Sequence, residues 1–472
     1  MHYEVLRGVC VHVWQISYRS IQSLVAHCSV PPERRRPMAT HLPRILFFAL
    51  IAIFIWPSLA PAQRPPVRPA VLVNPHVQGN GTVTTIQEGI DMVAPGGKVM
   101  VLPGTYDEAI VIDKGLTLEA VGSGSVIVAP PEVTNPALIA VRIDTNDPVT
   151  IRGITVQYTG GAGIRGDGPV DLTIERATLL AVNPPLGATA LVSVRRNVVS
   201  ETQPKRARLV VRHSMLDGSI TCSTWHDACT IPTNRPPMFP QIFGIILGFD
   251  VDAVLEENVI RRAGGGCIFV VMRDDLGGGT NVDIVGNDLD ECHPLGRAGS
   301  IVVGTLAGVP LPSPTHPVTA TGEVNIVGNT IHNSSLSCLT TSAIVYEVFT
   351  GRIERNRILS VVQPCATPSL RGLPAAVWVG SLPARGFPRV NGVTVRFNNI
   401  EGNAQAGLRV APNMSSLPID ASCNWWGSAS GPSGAGGGSG DAVVVETGAT
   451  TPTFMPWAIA PIAETDETTC TD

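Results

Sequence analysis

From about Leu116 to Asn424 the chain repeats one short pattern. Two or three alternating apolar residues are followed by two outward residues, often including Asn, and then by another apolar residue. Clear copies are VTIRGITV (149–156), DLTIERATL (171–179), LVVRHSML (209–216) and VLEENVI (254–260). VDIVGNDL (282–289), VNIVGNTI (324–331), RIERNRI (352–358) and TVRFNNI (394–400) continue the series. Aligned on one column, the register residues are Ile154, Ala177, Asn197, Ser214, Asn258, Asn287, Asn329, Asn356, Asn398 and Asn424, separated by 17 to 44 residues. A unit this small cannot bury its own apolar face and has to stack on the next.

Stacked units of this kind predict an all-β chain, a right-handed parallel β-helix of about ten coils. In such a solenoid neighbouring coils pair roughly 4.8 Å apart and aliphatic side chains form ladders inside. An inward Asn repeated at one turn can bond one coil to the next and satisfy turn backbone that would otherwise be unpaired. The role expected of Asn258, Asn287, Asn329, Asn356 and Asn398 is therefore structural. Composition agrees. With 48 Gly, 40 Pro and 15% charged residues the chain suits neither a helical bundle nor a coiled coil, and 44% hydrophobic content argues against disorder. The net charge of −5, with only Lys98, Lys114 and Lys205 as lysines, lacks the basic footprint of nucleic-acid binding.

The first 62 residues read as an address. An apolar run from Ile45 to Trp56 follows Arg34, Arg35, Arg36 and Arg44 and precedes Ala60-Pro61-Ala62, the layout of a secretory signal with cleavage before Gln63. The run is short for a bilayer span, which takes roughly 20 residues, and an uncleaved anchor is the competing reading. The expected organisation is a mis-assigned start or cytoplasmic leader (1–37), a signal peptide (38–62), a linker (63–80), the β-helix domain (81–460) and an acidic tail (461–472). Removing residues 1–62 takes away six Arg and two Glu, moving the net charge from −5 to −9. The expected locations are secreted, periplasmic or cell-surface, with no stable membrane span after cleavage.

Eight Cys remain after that cut, an even number that favours disulfides in an exported chain. Cys338 and Cys365 each lie nine residues after a column Asn, so consecutive coils would stack them within reach of a disulfide. Cys222–Cys229 would close a local loop. Cys267–Cys292 has unequal offsets, and Cys423–Cys470 follows by elimination.

Two segments resemble the pectin lyase-like superfamily, specifically its bacterial secreted parallel β-helix repeat proteins. TIQEGIDMVAPGGKVMVLPGTYDEAIVIDKGLTLEAVG (85–122) is similar to the capping helix and first coils of that fold, with Ile86, Ile90, Met92 and Val93 covering the open end. NWWG (424–427), SGP (430–432), SGDAV (439–443) and MPW (455–457) are similar to its closing segment. The resemblance implies the fold. It implies no single activity, because the fold hosts lyases, hydrolases, esterases, epimerases, adhesins and spacers. No paired-Asp signature with a Gly-His-Gly partner is present, and Trp425 and Trp426 read as an end cap in preference to a sugar platform.

The candidate site residues come from local chemistry. The densest acidic grouping is Asp274, Asp275, Asp283, Asp288, Asp290 and Glu291, with Arg273, His293 and Arg297 close by. Asp274 and Asp275 could hold Ca2+, and with Arg273 or His293 could support proton abstraction from a uronic acid. Asp290 and Glu291 share their offsets with Arg261 and Arg262 of the neighbouring coil, so a cross-strand ion-pair ladder is their expected role. Trp225, His226 and Asp227, inside the Cys222–Cys229 loop, form a candidate recognition patch. Pro- and Gly-rich inserts at 231–240, 305–317 and 363–388 are further places for binding loops. The function expected is a non-catalytic exported protein of the cell envelope, its partner a polysaccharide or cell-surface glycan. The alternative is a calcium-assisted lyase or epimerase on acidic polysaccharide.

Overall fold

The structure is a computed structural model. It describes residues 67–77, 82–131, 138–182, 187–195, 206–219, 240–248, 250–271, 280–292, 299–304, 322–334, 342–347, 350–359, 361, 375–380, 392–403, 406–412, 418–463 and 470. All of these lie in the unit Pro65–Asp472. Among them no helix is long and apolar enough to cross a membrane.

Alternating apolar residues separated by tight turns wind the chain as a right-handed parallel β-helix, with three sheets of 12, 10 and 12 strands among the described residues. One coil contributes Val251–Glu256 to the first sheet, Val259–Arg261 to the second and Gly266–Val271 to the third. The next contributes Asn281–Val285, Asp288–Asp290 and Ile301–Gly304, each parallel to its predecessor. The first sheet includes Arg68–Val73, inside the stretch read as linker, and this strand pairs with Thr82–Val83 on one side and Val93–Val101 on the other.

Inward residues form the predicted ladders. Val211, Leu255, Ile284, Ile326, Ile353 and Val395 are stacked in the first sheet. Leu216, Ile260, Leu289, Ile331, Ile358 and Ile400 stack in the second, and Trp426 continues that row at the last coil. All are buried. The third sheet is buried on its outer face too, where Phe243, Phe269, Val302, Val345 and Trp378 form a second apolar cluster.

The corner between the first and second sheets carries the asparagines. Asn258 Nδ2 donates to Val211 O at 2.8 Å and to Asn287 Oδ1 at 2.9 Å, while that Oδ1 also accepts the Asn258 backbone N–H at 3.0 Å. The same amide-to-amide step runs from Asn287 to Asn329, Asn356, Asn398 and Asn424. Ser214 takes the position before Asn258, accepting the Ala177 N–H at 3.1 Å. The column therefore passes directly from Ala177 to Ser214, and Asn197 lies outside the described residues. The apolar segment before Asn197 is the third-sheet strand Gly187–Arg195, whose alternation mimics the motif. The residue preceding each column position is left-handed: Arg176, His213, Glu257, Gly286, Gly328, Arg355, Phe397 and Cys423 have φ between 49° and 66°. One residue of this conformation makes the two-residue turn that joins the sheets.

The ends are closed locally. Thr85 caps the helix Ile86–Met92, its hydroxyl accepting the Glu88 N–H at 3.2 Å. Glu108 accepts the Ile86 and Gln87 N–H groups at 2.6 and 3.0 Å, placing a carboxylate at the positive helix end. A Cβ on Gly89 would lie 2.8 Å from Val73 Cγ2, so only glycine lets the helix approach the first strand this closely. At the other end, Asn399 exchanges two 2.8 Å bonds with the backbone of Ile462, and a disulfide joins Cys423 to Cys470. A second disulfide, Cys267–Cys292, has a Cα separation of 5.5 Å and lies in the core. Cys222, Cys229, Cys338 and Cys365 lie outside the described residues.

A charged strip on the second sheet as candidate functional site

The second sheet has short strands, so each coil displays just two outward positions. They lie one and three residues after the column position. The nearer row runs Val259, Asp288, Thr330, Arg357 and Asn399, and the farther row Asp217, Arg261, Asp290, His332, Leu359 and Glu401. Polar side chains thus stand on successive coils along one face.

Asp217 anchors the strip. It is 1% exposed, yet Oδ2 accepts Arg261 Nε at 3.0 Å and Oδ1 accepts Arg262 Nε at 2.8 Å and the Ser219 N–H at 2.9 Å. Arg262 Nη2 donates a further bond to Oδ2. Burial opposes ionisation of this carboxyl. The Arg262 contact, the Ser219 N–H and the charge of Arg261 outweigh it, holding Asp217 below the ordinary carboxylate range. Arg262 is raised in turn, first by its bond to Asp217, with smaller contributions from Glu291 and Asp290.

The register between Arg261 and Asp290 is the one expected, but the guanidinium bonds of Arg261 and Arg262 go to Asp217 on the opposite side. Asp217 presents both oxygens to the two guanidinium groups from a buried position, and Asp290 Oδ1 accepts Asn333 Nδ2 at 2.9 Å. His332 sits between two carboxylates, with Nε2 2.7 Å from Asp288 Oδ1 and Nδ1 3.5 Å from Asp290 Oδ1. Asn333 Nδ2 lies 3.0 Å from His332 Nδ1. In the tautomer whose Nε2–H donates to Asp288, Nδ1 accepts from Asn333 Nδ2. Thr330, His332, Asn333, Arg357 and Leu359 line an open depression of about 350 Å³.

The acidic grouping of the sequence is split by the fold. Asp283 projects from the first sheet and accepts Asn325 Nδ2 at 3.0 Å, while Asp288 and Asp290 belong to the second. The candidates for calcium and base chemistry, Arg273, Asp274, Asp275, His293 and Arg297, lie outside the described residues, as do Trp225, His226 and Asp227. Among the described residues no three His, Cys, Asp or Glu side chains are grouped to hold a metal ion. Trp425 and Trp426 offer no free ring face. Trp426 is fully buried, and Trp425, 8% exposed, donates Nε1 to Glu401 Oε2 at 2.9 Å. Close by, Asp441 accepts the Asn403 N–H and Nδ2 at 3.0 and 2.7 Å, and burial, with a smaller push from Glu401, raises its carboxyl above the ordinary value.

Asp217, His332, Asn333 and Arg357 are residues that sequence reasoning missed, although a signal existed. Asp217 and His332 share the offset of Arg261 and Asp290 from their column residues, so that one row lists them together.

No protein-family model matches the sequence, and no characterised protein does so by sequence. Among solved structures the chain is similar to the Dettilon tailspike protein, with 13% identity, 80% of this chain and 68% of that one covered, and a TM-score of 0.45. It is also similar to the GH136 lacto-N-biosidase from Eubacterium ramulus, with 11% identity, coverages of 75% and 67%, and a TM-score of 0.38. The GH87 α-1,3-glucanase catalytic unit from Streptomyces thermodiastaticus gives 14% identity, coverages of 83% and 71%, and a TM-score of 0.37. The parallel β-helix is read from this chain's own three parallel sheets and asparagine column.

Proposed function

We propose that this chain is an exported β-helix protein of the cell envelope that binds glycans along its second sheet without cleaving them. The observation that carries this reading is the depression at His332, where hydrogen-bonding side chains and one apolar floor residue face solvent together. Sugar recognition needs that mixture: directional donors and acceptors for hydroxyls and an apolar contact for the C–H face. The carboxylates bordering the depression already serve His332 and Asn333, which favours a fixed binding surface over a pair of catalytic acids. Export is supported by the signal-like leader and by two disulfides, which persist in oxidising compartments.

Affinity electrophoresis of the purified chain through gels containing neutral and acidic polysaccharides tests the reading. Retardation by at least one polymer, without change in polymer length, is the expected result. Release of unsaturated sugars from pectate, alginate or glycosaminoglycan in the presence of calcium would replace it with the lyase alternative.

A further inference from the structure

We infer that the depression at His332 is a subsite for a neutral sugar, not for a uronic acid; the inference rests on the glycan-binding reading above. Two of its donors are unengaged. Thr330 and Arg357 are register partners on adjacent coils, and neither side chain has a partner among the described residues. Behind them His332 and Asn333 are held in place by Asp288 and Asp290. Leu359, one coil beyond His332 in the same row, supplies the apolar floor.

The charges decide the sugar class. Asp288 and Asp290 have side chains 49% and 30% exposed, and the cation lining the depression is Arg357. A uronate carboxylate placed here meets two like charges within a coil or two of that counter-ion, and like-charge juxtaposition disfavours the wrong partner. A neutral hexose meets no such opposition. Its hydroxyls can donate to Asp288 Oδ2, which carries no hydrogen bond among the described residues, and can accept from Arg357 and Thr330.

Isothermal titration of the full exported chain with cello-, laminari-, malto- and chito-hexaose, and in parallel with oligogalacturonate and oligomannuronate, tests this. The expected result is binding of at least one neutral oligosaccharide and none of the uronates. Arg357→Ala and Thr330→Val should each weaken that binding about tenfold, the loss of one hydrogen bond to a charged or fixed partner. Arg352→Ala, on the first sheet, should leave it unchanged. Melting curves for all three variants should superimpose on the parent, since these side chains are solvent-facing. Uronate binding that Arg357→Ala abolishes would overturn the sugar class while leaving glycan binding at this face intact. Neutral binding indifferent to both Arg357→Ala and Thr330→Val would overturn the subsite. Absence of binding to every probe would overturn the inference together with the proposed function.

Discussion

Removing one amide from the middle of the asparagine column should cost far more than its side-chain volume implies. Asn329 is fully buried and donates to Ile284 O at 2.8 Å, Val327 O at 3.2 Å and Asn356 Oδ1 at 3.0 Å. Its Oδ1 accepts both the backbone N–H and Nδ2 of Asn287, each at 2.9 Å. Asn329→Ala therefore strands the Asn287 N–H and the Ile284 carbonyl in a site closed to water, besides removing partners from two flanking amides. At about 1–3 kcal/mol for each buried group left unsatisfied, the expected loss is about 3–5 kcal/mol. Ser214→Ala is the internal comparison. That hydroxyl makes two bonds, accepting from Ala177 N and donating to Arg212 O, so about 1–2 kcal/mol is expected. Guanidinium unfolding followed by far-ultraviolet dichroism measures both. An Asn329→Ala loss no greater than that of Ser214→Ala would refute the view that the column acts as a shared network.

Asp217→Ala removes the shared acceptor of two partly exposed guanidinium groups and of the Ser219 N–H and should destabilise by about 1–3 kcal/mol in the same unfolding assay. Because the native carboxyl of Asp217 is depressed, its contribution is present above the unfolded value near pH 4 and is lost as the pH falls through the lower folded value. The parent should lose stability in that acid window, and Asp217→Asn should flatten the loss. Asp441 has the opposite sign: its raised folded value makes its contribution fullest below about pH 4 and diminishing as the pH rises through the folded value. Asp441→Asn should therefore raise the melting temperature at pH 7 relative to the parent and have little effect at pH 3. Replacing Cys267 and Cys292 together by Ser opens a loop of 25 residues and should lower stability by about 3.5 kcal/mol on the chain-entropy scale, read as a shift in denaturation midpoint.

The fold is legible in the sequence because its cause is periodic. Val211, Leu255 and Ile284 alternate with outward residues in sequence just as they alternate across the sheet, and Asn258, Asn287 and Asn329 mark the same corner each time. The third sheet shows where periodicity alone is ambiguous. Strand Gly187–Arg195 has the same alternation as a corner strand but belongs to the third sheet, and nothing local distinguishes the two. The strip is harder to see. Asp217 and Arg261 are 44 residues apart yet occupy one rung step, so their contact follows only after the inserts between coils are discounted. Arg261 and Arg262 turn to the buried carboxylate of Asp217 and not to Asp290, a choice no offset encodes.

The left-handed position before each asparagine has a bearing on how such a rod can change its surface. Arginine, histidine, glutamate, phenylalanine and cysteine all occupy it with nearly the same φ, as do Gly286 and Gly328. A Cβ on Gly328 would meet nothing closer than 4.0 Å. The left-handed turn thus accommodates several side-chain types, and the edge presents a row of pegs at roughly 4.8 Å spacing. Residues that tolerate a left-handed backbone can be exchanged there while the cylinder beneath keeps its shape.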